Sequence, residues 1–159
     1  MRLQRQFASW TASRQTRRGS ALIELTLSLT FLTALFLGVW QYGYGFYVYA
    51  ELEQAVRDGA RYAAERTYDS ATSTPTDTFL TAVKNVVVYG DPAPANGATA
   101  LAPGLTTAMV TLTVTFTSGV PTSMAVAISG YPMPTYYGNL TLTGKPTTSF
   151  PFVGIFGPP

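Results

Sequence analysis

The longest uncharged stretch of the chain, 26 residues from Leu25 to Ala50, restricts its possible folds more than any other feature. As an α-helix it would be about 39 Å long, at a rise of about 1.5 Å per residue. The hydrocarbon core of a bilayer is about 30 Å thick, so this length is sufficient to cross it. Apolar residues occupy all sides of the helix, as in helices surrounded by lipid or by other helices. We therefore predict a transmembrane helix.

Two other interpretations of this stretch fit it less well. A core helix of a soluble protein rarely runs this far without a charge. A removable secretory signal has an apolar core of about 7–15 residues followed by a small-residue cleavage site. Here the run is longer, and aromatic residues of the kind found at membrane–water interfaces follow it. These aromatic residues are Trp40, Tyr42, Tyr44, Phe46, Tyr47 and Tyr49.

The charges of the chain are distributed unevenly on the two sides of this helix. Residues 1–19 contain five arginines and no acid, a charge of +5, whereas the other 140 residues hold five cations and eight acids, a charge of −3. The positive-inside rule then places the N-terminus in the cytoplasm and the chain after the helix outside. Such an arm is typical of contact with the cytoplasm or with anionic lipid, and we expect no nucleic-acid partner. A basic tail without a role is the alternative.

The residues that most enzymes and metal sites depend on are missing. The chain has no cysteine and no histidine, which excludes disulfides, thiolate and imidazole ligands, and nucleophilic triads built on either residue. Beyond Arg66 the charged residues are few and scattered, without the spacing of a catalytic carboxylate pair. We therefore expect no catalytic residues, no metal site, no cofactor and no enzymatic activity.

A short motif, RRGSALIELTL, stands at the start of the apolar run, from Arg17 to Leu27. Within it, Glu24 is the only charged residue between Arg18 and Glu51. A carboxylate at mid-bilayer costs about 2.5–3.5 kcal/mol and less near the interface, so such a residue is a candidate functional site. Glu24 exposed at headgroup level without a partner is the alternative.

This motif resembles the type IV prepilin signature, in which a basic leader ends in glycine and a glutamate is the fifth residue of the processed chain. Together with VRDGARYAAE, Val56 to Glu65, it is similar to the TadE-like minor pilins or pseudopilins of the tight-adherence (Tad, Flp-pilus) system. The similarity covers about residues 17–66. Further along, only the Thr-rich strands and the Phe-Pro-Phe ending resemble that family.

The resemblance implies a processing site between Gly19 and Ser20, cut by a prepilin peptidase that needs a small residue there. Cleavage would remove a leader that includes Arg14, Arg17 and Arg18 and would create a new amine at Ser20. In an assembly, Glu24 of one subunit would pair with that amine on its neighbour, because an opposite charge makes a carboxylate tolerable in an apolar environment.

The resemblance implies a component of a pilus or secretion machine in the bacterial inner membrane. Its C-terminal domain would be periplasmic or extracellular, and the subunit would enter a surface filament after processing. Its partners would be the lipid bilayer, the prepilin peptidase, other pilin or pseudopilin subunits and Tad assembly proteins. The alternative is an uncleaved, membrane-anchored binding or adhesion domain.

The helix is expected to continue through residues 51–66. Small apolar residues recur there at helical spacing and form one stripe, while Glu53–Arg57 and Arg61–Glu65 are four apart and can pair on its flanks. Packing of the stripe on the protein's own domain and contact with another subunit are both open. The stripe consists of Leu52, Ala55, Val56, Gly59, Ala60 and Ala63. Glycines at 38, 43 and 45 lead us to predict a point of bending or unwinding during extraction from the membrane.

The organisation predicted for the whole chain is α+β. It comprises a leader (1–19), a transmembrane helix with its extension (20–68), and a small exported domain (69–159). In the last of these, Pro75–Tyr89 is predicted to be a helix capped by Thr76 and Gly90. Alternating residues predict a strand over Met109–Thr117, a second at 124–128 and a third over Asn139–Thr143, forming one small antiparallel sheet packed on helix. Tyr131–Gly138 is expected to be a turn, and 150–156 a last short strand or a tail.

Overall fold

The computed structural model describes residues 4–133, 135 and 140–158, with their side chains from Gly19 onward. The chain divides into two compact units, Met1–Gly43 and Tyr44–Pro159. The described part of the first unit is helical, and the second combines helices with antiparallel strands. The predicted α+β class is confirmed.

Helix α1 runs from Gln4 to Glu65 without interruption, a length of 62 residues. It includes the predicted membrane run and the predicted extension as one element. The three glycines at 38, 43 and 45 do not break it, so the idea that they permit unwinding during extraction stays a prediction.

Helix α2, Asp77–Tyr89, has the caps that its sequence predicted. The Thr76 hydroxyl accepts a hydrogen bond from the Phe79 amide, and Gly90 closes the other end at a φ of 75° with its amide donating to the Val86 carbonyl. Glycine suits that position because a left-handed conformation strains other residues. The apolar face of α2 is buried, through Phe79, Val83, Val86, Val87 and Val88.

A three-stranded antiparallel sheet has the order β1-β2-β5, where β1 is Val110–Thr117, β2 is Val120–Ile128 and β5 is Thr147–Pro151. A short 3-10 turn, Thr107–Met109, precedes β1. Strands β1 and β2 are joined by Ser118 and Gly119, both at positive φ, the two-residue turn that matches the twist of a hairpin. Strand β2 therefore begins at Val120, four residues before the predicted second strand, and ends with it at Ile128.

A second sheet pairs β3, Tyr131–Met133, with β4, Leu140–Leu142. The expectation of a single sheet is wrong, and so is that of a turn at residues 131–133. Pro132 made this segment look like a turn, yet proline is tolerated in a two-stranded ribbon where no further strand needs its amide. Strand β4 confirms the third predicted strand within one residue at each end. Residues 134 and 136–139 lie outside the described residues.

The core of the second unit is formed by the C-terminal part of α1, by α2 and by the three-stranded sheet. From α1 it takes Val48, Leu52, Val56 and Ala60, and from β2 it takes Met124, Val126 and Ile128. Because α1 contributes so many core residues, the C-terminal part of this helix and the domain fold as one body.

Candidate membrane anchor and assembly helix

The residues of the predicted processing motif all lie on α1. Gly19, Ser20 and Glu24 are exposed. The peptide bond between Gly19 and Ser20 is inside the helix, so a peptidase would have to unwind it locally before cutting. Glycine stabilises a helix by about 1 kcal/mol less than alanine, so Gly19 is a position where α1 opens readily.

The basic residues Arg14, Arg17 and Arg18 precede this site on the same helix. Their side chains lie outside the described part of the structure. The pairing of Glu24 with the amine of Ser20 needs a second subunit and a processed chain, so it stays a prediction.

The large apolar side chains of α1 from Leu22 to Tyr42 are exposed in the part of the chain that the structure describes, as in Phe31 at 68% and Val39 at 75%. Among the described residues, Gly19–Glu65 is the one helical segment long and apolar enough to cross a membrane. Apolar surface of this extent is stable when lipid or other helices cover it, and the helix indicates single-pass membrane anchoring.

Three threonine hydroxyls inside this apolar stretch are satisfied by the helix itself. Thr26, Thr30 and Thr33 each donate to the carbonyl four residues earlier, at 2.8 Å. An unsatisfied polar group in hydrocarbon costs several kcal/mol. These threonines can therefore face lipid without a partner.

Aromatic residues mark the C-terminal end of the apolar stretch. The rings of Tyr44 and Tyr47 are stacked, with centroids 6.5 Å apart, and the Tyr47 hydroxyl donates to the Glu51 carboxylate. A ring packed on apolar surface with its hydroxyl on a charged group suits a membrane–water interface.

The small-residue stripe of α1 packs on the protein's own domain. All six of its residues are buried within the second unit. Gly59 lies against α2, where a methyl group added to it would come 2.2 Å from Val87 Cγ2. The sequence left open whether the stripe packs on its own domain or contacts another subunit. In the structure the stripe packs on its own domain. This closeness explains the glycine in the VRDGARYAAE segment.

The flanking ion pairs of this part of α1 are confirmed. Arg57 bonds Glu53 at 3.0 Å and Arg61 bonds Glu65 at 2.8 Å, all four side chains being largely exposed. The hydrogen bond and charge of Glu65 raise the pKa of Arg61. Exposed pairs of this kind add little to stability, and they leave the solvent face of the helix polar.

The C-terminal end of α1 is held by the end of the chain, an arrangement that sequence reasoning missed. The amides of Val153 and Gly154 donate to the Ala64 carbonyl at 3.0 and 2.9 Å, and the Tyr68 amide donates to the Ile155 carbonyl at 2.8 Å. These bonds satisfy a helix carbonyl that has no partner within α1. In the sequence, the apolar Phe-Pro-Phe segment was the only signal that this part of the chain packs on the domain.

Tyr68 joins this terminus to the core. Its ring is fully buried and makes edge contacts with Phe79, Phe116 and Phe152, with centroids 5.4 to 6.5 Å apart. Its hydroxyl donates to the Thr72 carbonyl at 2.8 Å. Burial raises the pKa of Tyr68.

Comparison with known proteins finds one family. The model of the TadE-like protein family matches residues 19–61, a segment that begins at Gly19, includes Glu24 and ends within Val56–Glu65. No curated protein and no solved structure gives a significant match. Residues 19–61 of this chain are thus similar to the TadE-like protein family, as the motifs indicated.

Proposed function

We propose that the protein is a minor pilin or pseudopilin, or an assembly component, of a Tad-type pilus or a related secretion machine. The observation that carries this proposal is the family match over residues 19–61, which contains Gly19, Ser20 and Glu24 of the motif together with the apolar helix. The protein would be inserted in the inner membrane with its N-terminus in the cytoplasm and cleaved by a prepilin peptidase.

The construction of α1 supports an assembly role. Its apolar part before Gly43 is exposed along its length, so that it can be covered by lipid first and by the helices of other subunits later. Its C-terminal part is fixed in the core of the folded domain. A subunit of this kind can exchange its surroundings in the membrane without unfolding its domain.

Glu24 supports the same role. It is an exposed carboxylate beside an apolar run, and it would have to leave the headgroup region when subunits bundle. Pairing with the Ser20 amine of a neighbour would then offset the cost of removing its charge from water. The role is that of a structural component, and we propose no catalytic activity for the chain.

Glu24→Gln tests the assembly step. We expect this variant to be inserted and cleaved as in the wild type, but to be recovered in smaller amount with the other subunits of the machine after membrane solubilisation. Ser28→Ala, on the same helix, is the matched control and should behave as the wild type. Equal recovery of the Glu24→Gln variant would contradict the pairing.

Cleavage distinguishes this proposal from its alternative. An uncleaved, membrane-anchored binding or adhesion domain would keep residues 1–19 in its mature form and would remain a separate membrane protein.

A further inference from the structure

The ribbon formed by β3 and β4 carries an apolar face. Tyr131 is opposite Leu142 and Met133 is opposite Leu140, and because alternate residues of a strand share a face, these four side chains lie together. The two strands contain no charged residue. Since an isolated two-stranded ribbon is only marginally stable in water, this face needs to be covered.

Within the part of the chain that the structure describes, one end of this face is covered and the other is exposed. Tyr131 is fully buried, and its hydroxyl donates to the Pro103 carbonyl at 2.7 Å. Met133 and Leu142 are half-buried, whereas Leu140 is 55% exposed. The Met133 end lies against α1, since a methyl group added to Gly45 would be 3.7 Å from Met133 Cε. The uncovered end of the ribbon is therefore beside Gly45.

The position of Gly45 along α1 relates this end to the bilayer. The 20 residues from Leu25 to Tyr44 extend about 30 Å along a helix, which equals the thickness of the hydrocarbon core. When Leu25 is placed at one boundary of the hydrocarbon core, Gly45 lies at the opposite boundary. The aromatic side chains of Tyr42, Phe46 and Tyr47 are exposed around it, as in the aromatic belts of membrane proteins.

We propose that the ribbon pair Met133 and Leu140 is a lipid-contacting element that lies in the headgroup region at the C-terminal boundary of the span. Its partner is the phospholipid surface itself. This proposal rests on the membrane anchor of the proposed function, but it depends neither on cleavage nor on pilus assembly. The domain would then hold a fixed orientation on the membrane and would have to release lipid when the subunit is extracted.

Other exposed apolar residues of the second unit provide a contrast. Val153 is 71% exposed and its amide donates to the carbonyl of Ala64, which lies 19 residues beyond Gly45. That distance is about 29 Å along the helix. Val153 is thus more exposed than Leu140 but should be far from the bilayer.

Lipid-borne quenching of single-cysteine variants tests the proposal. The chain has no cysteine of its own, so Leu140→Cys, Val153→Cys and Phe36→Cys each carry one site for a thiol-reactive fluorophore. The full-length variants are placed in phosphatidylcholine vesicles. For Leu140→Cys and Val153→Cys these contain a phosphatidylcholine with a nitroxide near the headgroup. For Phe36→Cys, which lies about 14 Å from the Gly45 boundary along the helix, they contain one with a nitroxide deep on the acyl chain. Leu140→Cys tests the ribbon, Val153→Cys is the exposed control, and Phe36→Cys reports insertion of the span.

We expect strong quenching at Phe36→Cys, and quenching at Leu140→Cys at least about twofold that at Val153→Cys, because interfacial elements lie within about 5–10 Å of the headgroup boundary. Quenching of Phe36→Cys combined with equal values at the other two sites would overturn the ribbon proposal and leave the anchor intact. Failure at Phe36→Cys would overturn both. Protection of Leu140→Cys from lipid nitroxide and from aqueous iodide together would show that protein covers the site, which also contradicts the proposal.

Discussion

The close contact between Gly59 and α2 predicts a specific defect for Gly59→Ala. The added methyl would lie 2.2 Å from Val87 Cγ2 and 3.5 Å from Val87 Cβ. Valine is stiff about its first side-chain torsion, and Val87 is fully buried, so it has little freedom to move away. Overpacking of this kind costs about 1–3 kcal/mol, and the gain in helix propensity returns about 1 kcal/mol. A contact of 2.2 Å is far shorter than van der Waals contact, so the upper part of the overpacking range applies, about 2–3 kcal/mol. We therefore expect a net loss of about 1–2 kcal/mol after the gain in helix propensity.

Hydrogen exchange of the β1 and β2 amides in the detergent-solubilised, full-length protein is the appropriate assay, since these amides report opening of the whole core. The predicted loss corresponds to a decrease in protection of about 5–30-fold. Gly43→Ala is the matched control, because nothing lies within 4 Å of its added methyl, and it should leave protection unchanged.

A double-mutant cycle checks the assigned cause. With Val87→Ala the clashing Cγ2 atom is gone, so Gly59→Ala should cost less in that background than in the wild type by the overpacking energy, about 2–3 kcal/mol. Additive effects of the two changes, or unchanged protection in Gly59→Ala alone, would refute the argument from close packing.

Three further outcomes follow from the same contacts. Gly154→Ala would place a methyl 2.1 Å from the Arg66 carbonyl oxygen, so the segment around it should detach and become sensitive to chymotrypsin at Phe152 and Phe156. In Gly157→Ala the nearest atom is at an ordinary 3.7 Å, and this sensitivity should not appear. Burial raises the pKa of Tyr68, so above about pH 10 the phenol ionises in the unfolded state while it stays neutral in the folded state. The free energy of unfolding should therefore fall as the pH rises above about 10. Chemical unfolding of Tyr68→Phe should show a smaller fall over the same pH range than the wild type. Gly43→Ala combined with Gly45→Ala should slow incorporation into the assembly without unfolding the domain, since Gly45 has room for a methyl; normal incorporation would contradict a role for these glycines in extraction.

Local sequence patterns correctly predicted the helix and the strand whose conformation is set by neighbouring residues. Helix α2 was located by its caps, Thr76 and Gly90, and β1 by its alternation of valine, leucine and phenylalanine with threonine. In both elements, the residues that set the backbone conformation are neighbours of the element itself. The same holds for the ion pairs four residues apart on α1.

Contacts distant in sequence were missed or left undecided. Pro132 led to the prediction of a turn where the structure has β3. The strand was missed because the pairing of Pro132 with Thr141 depends on packing that no local pattern reveals. The small-residue stripe of α1 was compatible with packing on its own domain and with contact to another subunit, since small residues allow close approach of either. The bonds from Val153 and Gly154 to Ala64 join the end of the chain to the end of a helix nearly 90 residues earlier.

The intact mass of the protein recovered from its native membrane tests the central claim most directly. Gly19→Val is compared with the wild type, and Gly38→Val, which lies in open space on the same helix, serves as the control. We predict loss of residues 1–19 from the wild type and the control, and a full-length chain for Gly19→Val. A full-length chain in all three would contradict the pilin account and indicate a permanently anchored domain.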